Sequence, residues 1–476
     1  MACLQTKIKL PFDNKKNVAV VGLGVSNLPL LAFLAKRGYR VTARDKNGKE
    51  AFASCLPEWE ALGVKTILGD NYLCDLKEDV IFRSPGIRPD LPQFQAAVKR
   101  GAILTSEMEL FLELTPATVL GITGSDGKTT STTITGKLLE AETKKRGRGK
   151  VFVGGNIGEP LLPYVEEMTA EDFAVLELSS FQLQTMQRSP QVSAITNLSP
   201  NHLNWHIGME EYVAAKTNIY THNPCGRVVL NAENDLTKAL GESASLPVTW
   251  FSSQKSSYEE FSLREGDRAV YCKDGLITFW DGKAEQALLD ASRIRLPGVH
   301  NLENYMTAIA LTEDFVSKES IGQVADEFFG VRHRLELVRT LRGVSYYNSS
   351  IDSTPSRTAA ALSALPKPPI VICGGYDKHI PFEPLAEALL RYAKAVVLTG
   401  ATAEKIAEAI VNLAPRFRRE FDGYLEDDFK DAVLKAHSLA KEGDIVLLSP
   451  ACASFDAFKN FEERGDTFCA IVRSLD

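Results

Sequence analysis

The 476-residue sequence predicts an α/β protein of three domains, each a parallel sheet covered by helices. Two observations point to that class. Short apolar runs alternate with helical patterns along the whole chain, in three βα-rich regions each announced by its own glycine turn. Length supports the same division, at roughly 150 residues per domain. The expected boundaries are 1–106, 107–330 and 331–476.

The first region opens on an apolar run at 16–21 (KNVAVV), followed by a glycine turn and a helical pattern to about Arg37. A second strand at 40–43 leads to Asp45, and βα alternation continues through 80–84 (VIFRS) and 103–104. This is a small Rossmann-like unit. The central region, from about Glu107, has strand-like runs at 118–122, 173–178 and 192–197 and a helix from Met209 to about Tyr220. A hairpin at 268–280 turns at Asp274-Gly275, and a helix follows Asn301. The third region carries strands at 369–373, 395–398 and 445–448, with amphipathic helices between them.

Composition excludes several classes. With 44% apolar and 24% charged residues the chain reads as an ordinary globular protein. A net charge of −7 argues against nucleic acid as a partner, and the one basic cluster, 144–150 (KKRGRGK), reads as a solvated loop. No apolar core of signal-peptide length opens the sequence, and no run approaches the ~18 residues of a membrane span. The eight cysteines are scattered singly, with no C-x-x-C pair, which suggests neither zinc nor disulfides. A cytoplasmic location is expected.

The strongest chemical signal is TVLGITGSDGKTTS at 118–131. A strand runs into Gly124-Ser125-Asp126-Gly127, then Lys128-Thr129-Thr130 at a helix start. Backbone N–H groups there can wrap phosphates, the helix N-terminus favours anions, the lysine adds a full charge, and the next hydroxyl can ligate Mg²⁺. The glycine spacing departs from the standard P-loop, whose first glycine would fall at Ile122.

Other groups take their meaning from that loop. Glu177 stands at the end of FAVLEL, where a carboxylate is costly unless paired or metal-bound. His202 follows the next strand in NHLNWH, where a structural histidine is the plainer alternative. Lys216 lies on EEYVAAKTNIY with no acid three or four residues before it; it is either a solvated helical lysine or one aimed into the site. In the first region, Gly22-Leu23-Gly24 with Asp45 resembles a dinucleotide fingerprint. Asn27 replaces its third glycine, which disfavours NAD and leaves a different nucleotide or a structural turn. Ser84-Pro85-Gly86 ends another strand of that sheet. In the third region CGGYDK and SPACAS occupy strand ends, and Arg334 opens the region where it can reach a phosphate.

With these pieces in order the chain resembles the Mur ligase family along essentially its whole length. The motifs are GxGxSN with Asp45, SPGI, TGSDGKTT, GGNIG (154–158), ELSSFQL (177–183), NHLNWH, AAK, GVHNLEN (298–304), HR, GGYDK and SPACASFDAFKNFEERG. The resemblance implies ATP-dependent amide ligation through an acyl phosphate, with UDP-N-acetylmuramoyl-L-alanine and D-glutamate as substrates. It implies catalytic roles for Lys128, Glu177, His202 and Lys216, and ATP contacts from the 124–130 loop, Asn301, Asn304 and Arg334. Two Mg²⁺ sites would draw on Thr129, Glu177, His202 and a carbamate formed by CO₂ on Lys216. Val25, Ser26, Asp45, Lys46 and Gly86 would bind the uridine diphosphate; Asn156 and Ser179 would face the nucleotide-sugar. Ser353, Lys378, Ser454 and Phe461 would receive D-glutamate, and the enzyme would act as a monomer.

Four departures accompany it. Asp126 stands where asparagine is common, Asn201 and Asn204 replace frequent aspartates, and Ser349-Ser350-Ile351 replaces an Asp-Ser-Lys run. Two readings from other classes remain: an NAD-dependent oxidoreductase using the first turn, and an ATPase acting as a conformational switch.

Overall fold

The structure is a computed structural model that describes residues 10–13, 15–202, 205–296, 298–378, 380–417 and 421–476. Leu203 and Asn204 of the NHLNWH motif, and most of the opening residues, lie outside that set. The chain divides into two compact units, Met1–Ile294 with Val299–Asp326, and Arg295–Gly298 with Glu327–Asp476.

The first unit holds two sheets. Strands β1 (Asn17–Val21), β2 (Arg40–Asp45), β3 (Lys65–Leu68), β4 (Val80–Arg83) and β5 (Ile103–Thr105) pair in the order β3-β2-β1-β4-β5, all parallel. The connection therefore reverses direction beside β1, and the strand ends there form the crevice in which such sheets bind ligands.

The second sheet has nine strands: β6 (Thr118–Thr123), β7 (Val151–Gly155), β8 (Phe173–Glu177), β9 (Val192–Ile195), β10 (Arg227–Asn231), β11 (Val248–Ser252), β12 (Arg268–Lys273), β13 (Leu276–Trp280) and β14 (Glu285–Asp290). Their order is β14-β13-β12-β11-β10-β9-β6-β8-β7. β6 lies between β8 and β9, its interior covered by the long helix Lys128–Arg146, which also packs on the helix Val299–Thr312. The sheet is parallel up to β12; β12, β13 and β14 form an antiparallel meander at its edge. The expected hairpin turn is there, with both Asp274 (φ 51°) and Gly275 (φ 78°) left-handed, as a two-residue turn between right-twisted strands requires.

Two expectations need correction. The basic cluster is not all loop: Lys144, Lys145 and Arg146 form the last turn of the helix, which stops at Gly147 (φ 68°). Lysine and arginine there complement the helix C-terminus, and Arg146 also bonds Glu142 at 2.8 Å. The helix placed after Asn301 begins two residues earlier, so Asn301 and Asn304 stand on its first turns, both buried.

The second unit contains β15 (Glu336–Leu341), β16 (Val344–Asn348), β17 (Ile370–Cys373), β18 (Ala395–Leu398), β19 (Asp422–Leu425) and β20 (Ile445–Leu448). They pair as β15-β16-β20-β17-β18-β19, parallel except for the β15–β16 hairpin. The wholly buried runs IVIC, AVVL and IVLL are the central strands, as parallel sheets covered on both faces demand. Among the described residues no helix is long and apolar enough to cross a membrane.

One buried acid gives a measurable consequence. Glu107 opens the helix Glu107–Leu114, is 4% exposed, and has one carboxyl oxygen with no hydrogen-bond partner among the described residues. Burial pushes its pKa from 4.5 up to about 7, opposed only by the Leu162 N–H. The folded form thus binds the proton more tightly than the unfolded chain. Its stability contribution is complete below about pH 4.5 and is lost as pH rises through about 7. Glu107→Gln removes that slope, on the order of 3 kcal/mol. Urea midpoints of the variant and wild type from pH 4 to 8 measure it.

Candidate active site

The site is built at the end of β6. Gly124 has φ 149°, and a Cβ there would lie 1.9 Å from Thr196 Oγ1; Gly127 has φ 77°, and its Cβ would lie 2.5 Å from Asn304 Oδ1. Glycine is required at both positions by conformation and by space. Hydrogen bonds fix the loop. Thr196 Oγ1 donates to Asp126 O at 2.6 Å, and Asp126 N–H donates to Asn197 Oδ1 at 2.9 Å. Ser125 Oγ donates to Ser199 O at 3.0 Å and lies 2.9 Å from the Tyr212 hydroxyl. Asn304 accepts from Ser131 Oγ at 3.1 Å and donates to Asn301 Oδ1 at 3.1 Å.

Two lysines converge on one carbonyl. Lys128 Nζ donates to Gly124 O and Ser125 O, both at 2.9 Å. Lys216 Nζ reaches the same Gly124 O at 2.8 Å and Thr123 Oγ1 at 2.9 Å. Lys216 is 2% exposed, its ammonium 5.0 Å over the Tyr212 ring, so it is not a solvated helical lysine. Burial, then the Lys128 charge, hold its pKa well below the ordinary lysine value.

Glu177 ends β8, one strand over. Its Oε1 accepts from Asn156 Nδ2 at 2.8 Å, while its Oε2 is buried with no partner among the described residues. A carboxylate oxygen held out of water without a donor is a fitting ligand for a hard cation. His202 sits in a left-handed conformation (φ 55°) with its ring edge-on to Phe181. Burial, then the charges of Lys128 and Lys216, keep its pKa below the ordinary histidine value. A neutral imidazole is the metal-binding form. Among the described residues no three His, Cys, Asp or Glu side chains cluster as a complete cage. Mg²⁺ is commonly held by one or two carboxylates, with phosphate and water filling its shell, so an acid such as Glu177 needs no complete cage around it.

In the first sheet the expected residues line the ends of β1, β2 and β4. Gly22 (φ 81°) lets the chain pass close to Ser84, which a Cβ would approach to 2.6 Å. Val25 is exposed, Ser26 half-buried, and Lys46 and Gly86 exposed. The Asp45 carboxylate accepts from Leu23 N at 2.6 Å and Asn47 N at 2.8 Å, so it shapes the glycine turn itself. Ser179 likewise caps the helix Ser180–Leu183 in a reciprocal box with Gln182.

In the second unit Lys378 Nζ donates to Ser353 O at 3.2 Å and Ser353 Oγ at 3.3 Å, bringing two expected residues together. Ser454 is buried, and Phe461 begins the helix Phe461–Ser474, its carbonyl accepting from Ser350 Oγ at 2.8 Å. Buried Arg464 holds the Ala453 and Cys452 carbonyls and Ser350. Three residues after Ser349, Asp352 accepts from Ser449 Oγ at 2.8 Å; burial raises its pKa. Arg334 lies in this unit, half-buried, in a short bridge with Val331.

Sequence reasoning missed Thr123, Thr196 and Asn197, which support the loop and Lys216. The one local sign was their position, at the last residues of two neighbouring apolar runs.

The strand, glycine loop, helix-start lysine and buried acid have the arrangement of an α/β site of P-loop type. Three family descriptions match consecutive parts of the chain: Mur ligase MurD-like, N-terminal domain (residues 16–106), Mur ligase middle domain (122–312), and Mur ligase, glutamate ligase domain (333–452). Curated relatives include the UDP-N-acetylmuramoylalanine--D-glutamate ligase of Clostridium novyi, 47% identical over 98% of this chain and 98% of that protein. The protein of the same name from Acetivibrio thermocellus is 44% identical, again over 98% of each. Among solved structures, MurF from Acinetobacter baumannii superposes with a TM-score of 0.54 at 18% identity, over 83% of this chain and 90% of that one. The UDP-N-acetylmuramate-alanine ligase MurC from Thermotoga maritima gives 0.53 at 19% identity, over 96% and 99%. The chain belongs to the Mur ligase family.

Proposed function

We propose that the chain joins D-glutamate to UDP-N-acetylmuramoyl-L-alanine at the expense of ATP, a cytoplasmic step of peptidoglycan synthesis. The observation that carries this is the pairing of Lys128 and Lys216 on Gly124 O beside the orphaned Glu177, in a chain whose relatives of that name match end to end.

In this reading residues 1–106 hold the uridine diphosphate through Val25, Ser26, Asp45, Lys46 and Gly86. Residues 107–330 bind ATP at 124–130, with Asn301 and Asn304; within residues 331–476, Arg334 is assigned to phosphate and Lys378, Ser353, Ser454 and Phe461 to D-glutamate. Asn156 and Ser179 face the nucleotide-sugar. The loop N–H groups and Lys128 spread charge from the β- and γ-phosphates. The acceptor carboxylate oxygen bonds to the γ-phosphorus as its bond to the bridging oxygen breaks and ADP departs. The D-glutamate amine, having lost a proton, attacks the acyl carbon, and phosphate leaves. Thr129, Glu177, His202 and a carbamate on Lys216 would hold Mg²⁺ at up to two sites, supplying further neutralisation of phosphate charge. Substrates are small molecules, and the enzyme acts as a monomer.

The test is phosphate release from ATP and UDP-N-acetylmuramoyl-L-alanine with D-glutamate, L-glutamate, L-alanine or diaminopimelate. Release only with D-glutamate is expected. Hydrolysis indifferent to the amino acid supports a switch ATPase instead.

A further inference from the structure

We infer that Arg83 and Arg88 are positioning residues that latch the loop between them, 84–87, onto the central segments carrying Ser179 and His202. This rests on the ligase reading, in which that loop holds the nucleotide-sugar.

Arg83 is the last residue of β4 and only 1% exposed. One terminal nitrogen donates to the carbonyls of Ser84 and Pro85 at 3.2 Å and Ile87 at 2.5 Å, wrapping the loop around the guanidinium. The other donates out of the sheet, to Phe181 O at 3.3 Å and Thr185 Oγ1 at 3.2 Å. Arg88, at the far end of the loop, pairs with Asp90 at 2.9 Å and Glu211 at 3.0 Å and donates to the Trp205 carbonyl. Glu211 is a junction: it accepts from Gln184 Nε2 at 2.9 Å and from the Ile207 N–H, and lies 3.5 Å from His206 Nδ1. His206 in turn lies 2.9 Å from Ser180 Oγ and stacks on Phe181, against which His202 and Trp205 also pack. Both arginines therefore end on one structure, the Phe181 helix and the histidine segment beside it.

Stability alone gives no reason for Arg83. A buried guanidinium bonded to carbonyls and a hydroxyl costs desolvation that an apolar side chain of similar volume avoids. What the planar fork adds is direction: several acceptors on two sequence-distant segments are held in one geometry. That is what the reaction needs in this reading, because the substrate's uridine diphosphate and the γ-phosphate are bound on different sheets and a misplacement of about 1 Å costs about a hundredfold in rate.

Arg88→Ala is expected to lower kcat/KM by about 10- to 100-fold, raising together the KM for UDP-N-acetylmuramoyl-L-alanine and the Mg²⁺ concentration needed for half activity. The KM for D-glutamate should not move. Arg88→Lys should recover only part, since an ammonium cannot serve Asp90, Glu211 and Trp205 at once. Glu211→Ala should match Arg88→Ala, and the double variant should be no worse than either. Additive losses, or an equal rise in all three constants, overturn the latch. Backbone hydrogen exchange in the same variants provides a readout free of turnover: faster exchange at 84–90 and 205–211, unchanged at 124–130. If wild type makes no D-glutamate-dependent phosphate, the ligase reading falls while exchange still decides the latch. Arg83→Met is the harsher variant; should it not fold, the Arg88–Glu211 pair carries the test.

Discussion

Lys216→Ala is expected to remove turnover, by roughly a thousandfold or about 4 kcal/mol of transition-state stabilisation. The cause lies in where the amine is held. An ordinary lysine at neutral pH is an ammonium and cannot attack CO₂. Lys216 is buried and faces the Lys128 charge, both of which depress its pKa. A neutral amine is therefore available at lower pH than for a lysine in water. Addition of CO₂ to that neutral amine would form the N–C bond, release one proton to solvent, and leave an anion beside Lys128. Turnover should fall in CO₂-free buffer and return with bicarbonate, more completely toward higher pH. In Lys216→Ala a small carboxylic acid should restore part of the rate by taking the carbamate's place. Lys216→Arg preserves a cation and its donors but not the carbamate, and should stay inactive. Wild-type rates in either variant, or indifference to CO₂, would sink the carbamate role.

Lys216 also marks the limit of what the sequence conveys. Its helical pattern allowed a solvated lysine, and only the tertiary contact with Thr123 and Gly124, 93 and 92 residues away, decides the matter. The glycine loop was legible because the constraint is local: positive φ and close approach admit glycine alone at Gly124 and Gly127. Runs such as Ala395–Leu398 and Ile445–Leu448 were legible to the residue, since a strand buried on both faces must be apolar throughout. Two of the edge strands were not. Lys65–Leu68 and Asp422–Leu425 are only partly buried and pair on one side, so neither alternation nor an apolar run marks them. Arg83, Arg88 and Glu211 escaped for a further reason. A long side chain acts several ångströms from its own backbone, and partners 98 to 123 residues away leave no trace in local spacing. Side chains at the strand ends where such sheets bind ligands also build the turns themselves. Asp45 gives both oxygens to backbone N–H groups, and Ser179 gives its hydroxyl to a helix cap.

Glu177 makes the opposite choice, and Glu177→Gln separates its function from its stability. Had the fold alone shaped this position, the carboxylate at the end of β8 would be fully paired or replaced by an apolar group. Instead Asn156 satisfies one oxygen and leaves the other buried and bare. Glutamine retains the volume and the Asn156 bond but gives up the negative charge that attracts a cation. Phosphate release should drop by about a hundredfold or more at saturating Mg²⁺. Unfolding in metal-free buffer should be no easier than for wild type, and the midpoint is expected to hold or rise. Adding Mg²⁺ with ADP should then stabilise wild type by about 2.7 kcal/mol when ligand stands at a hundred times its dissociation constant, and the variant by much less. Urea titrations of the two proteins, with and without Mg²⁺ and ADP, make the comparison. A variant that unfolds earlier in metal-free buffer but retains its Mg²⁺ response would make Glu177 a structural acid and move the metal elsewhere. The expected pattern, stability held and activity lost, would instead mean that an unpaired carboxylate persists here because the ion completes it.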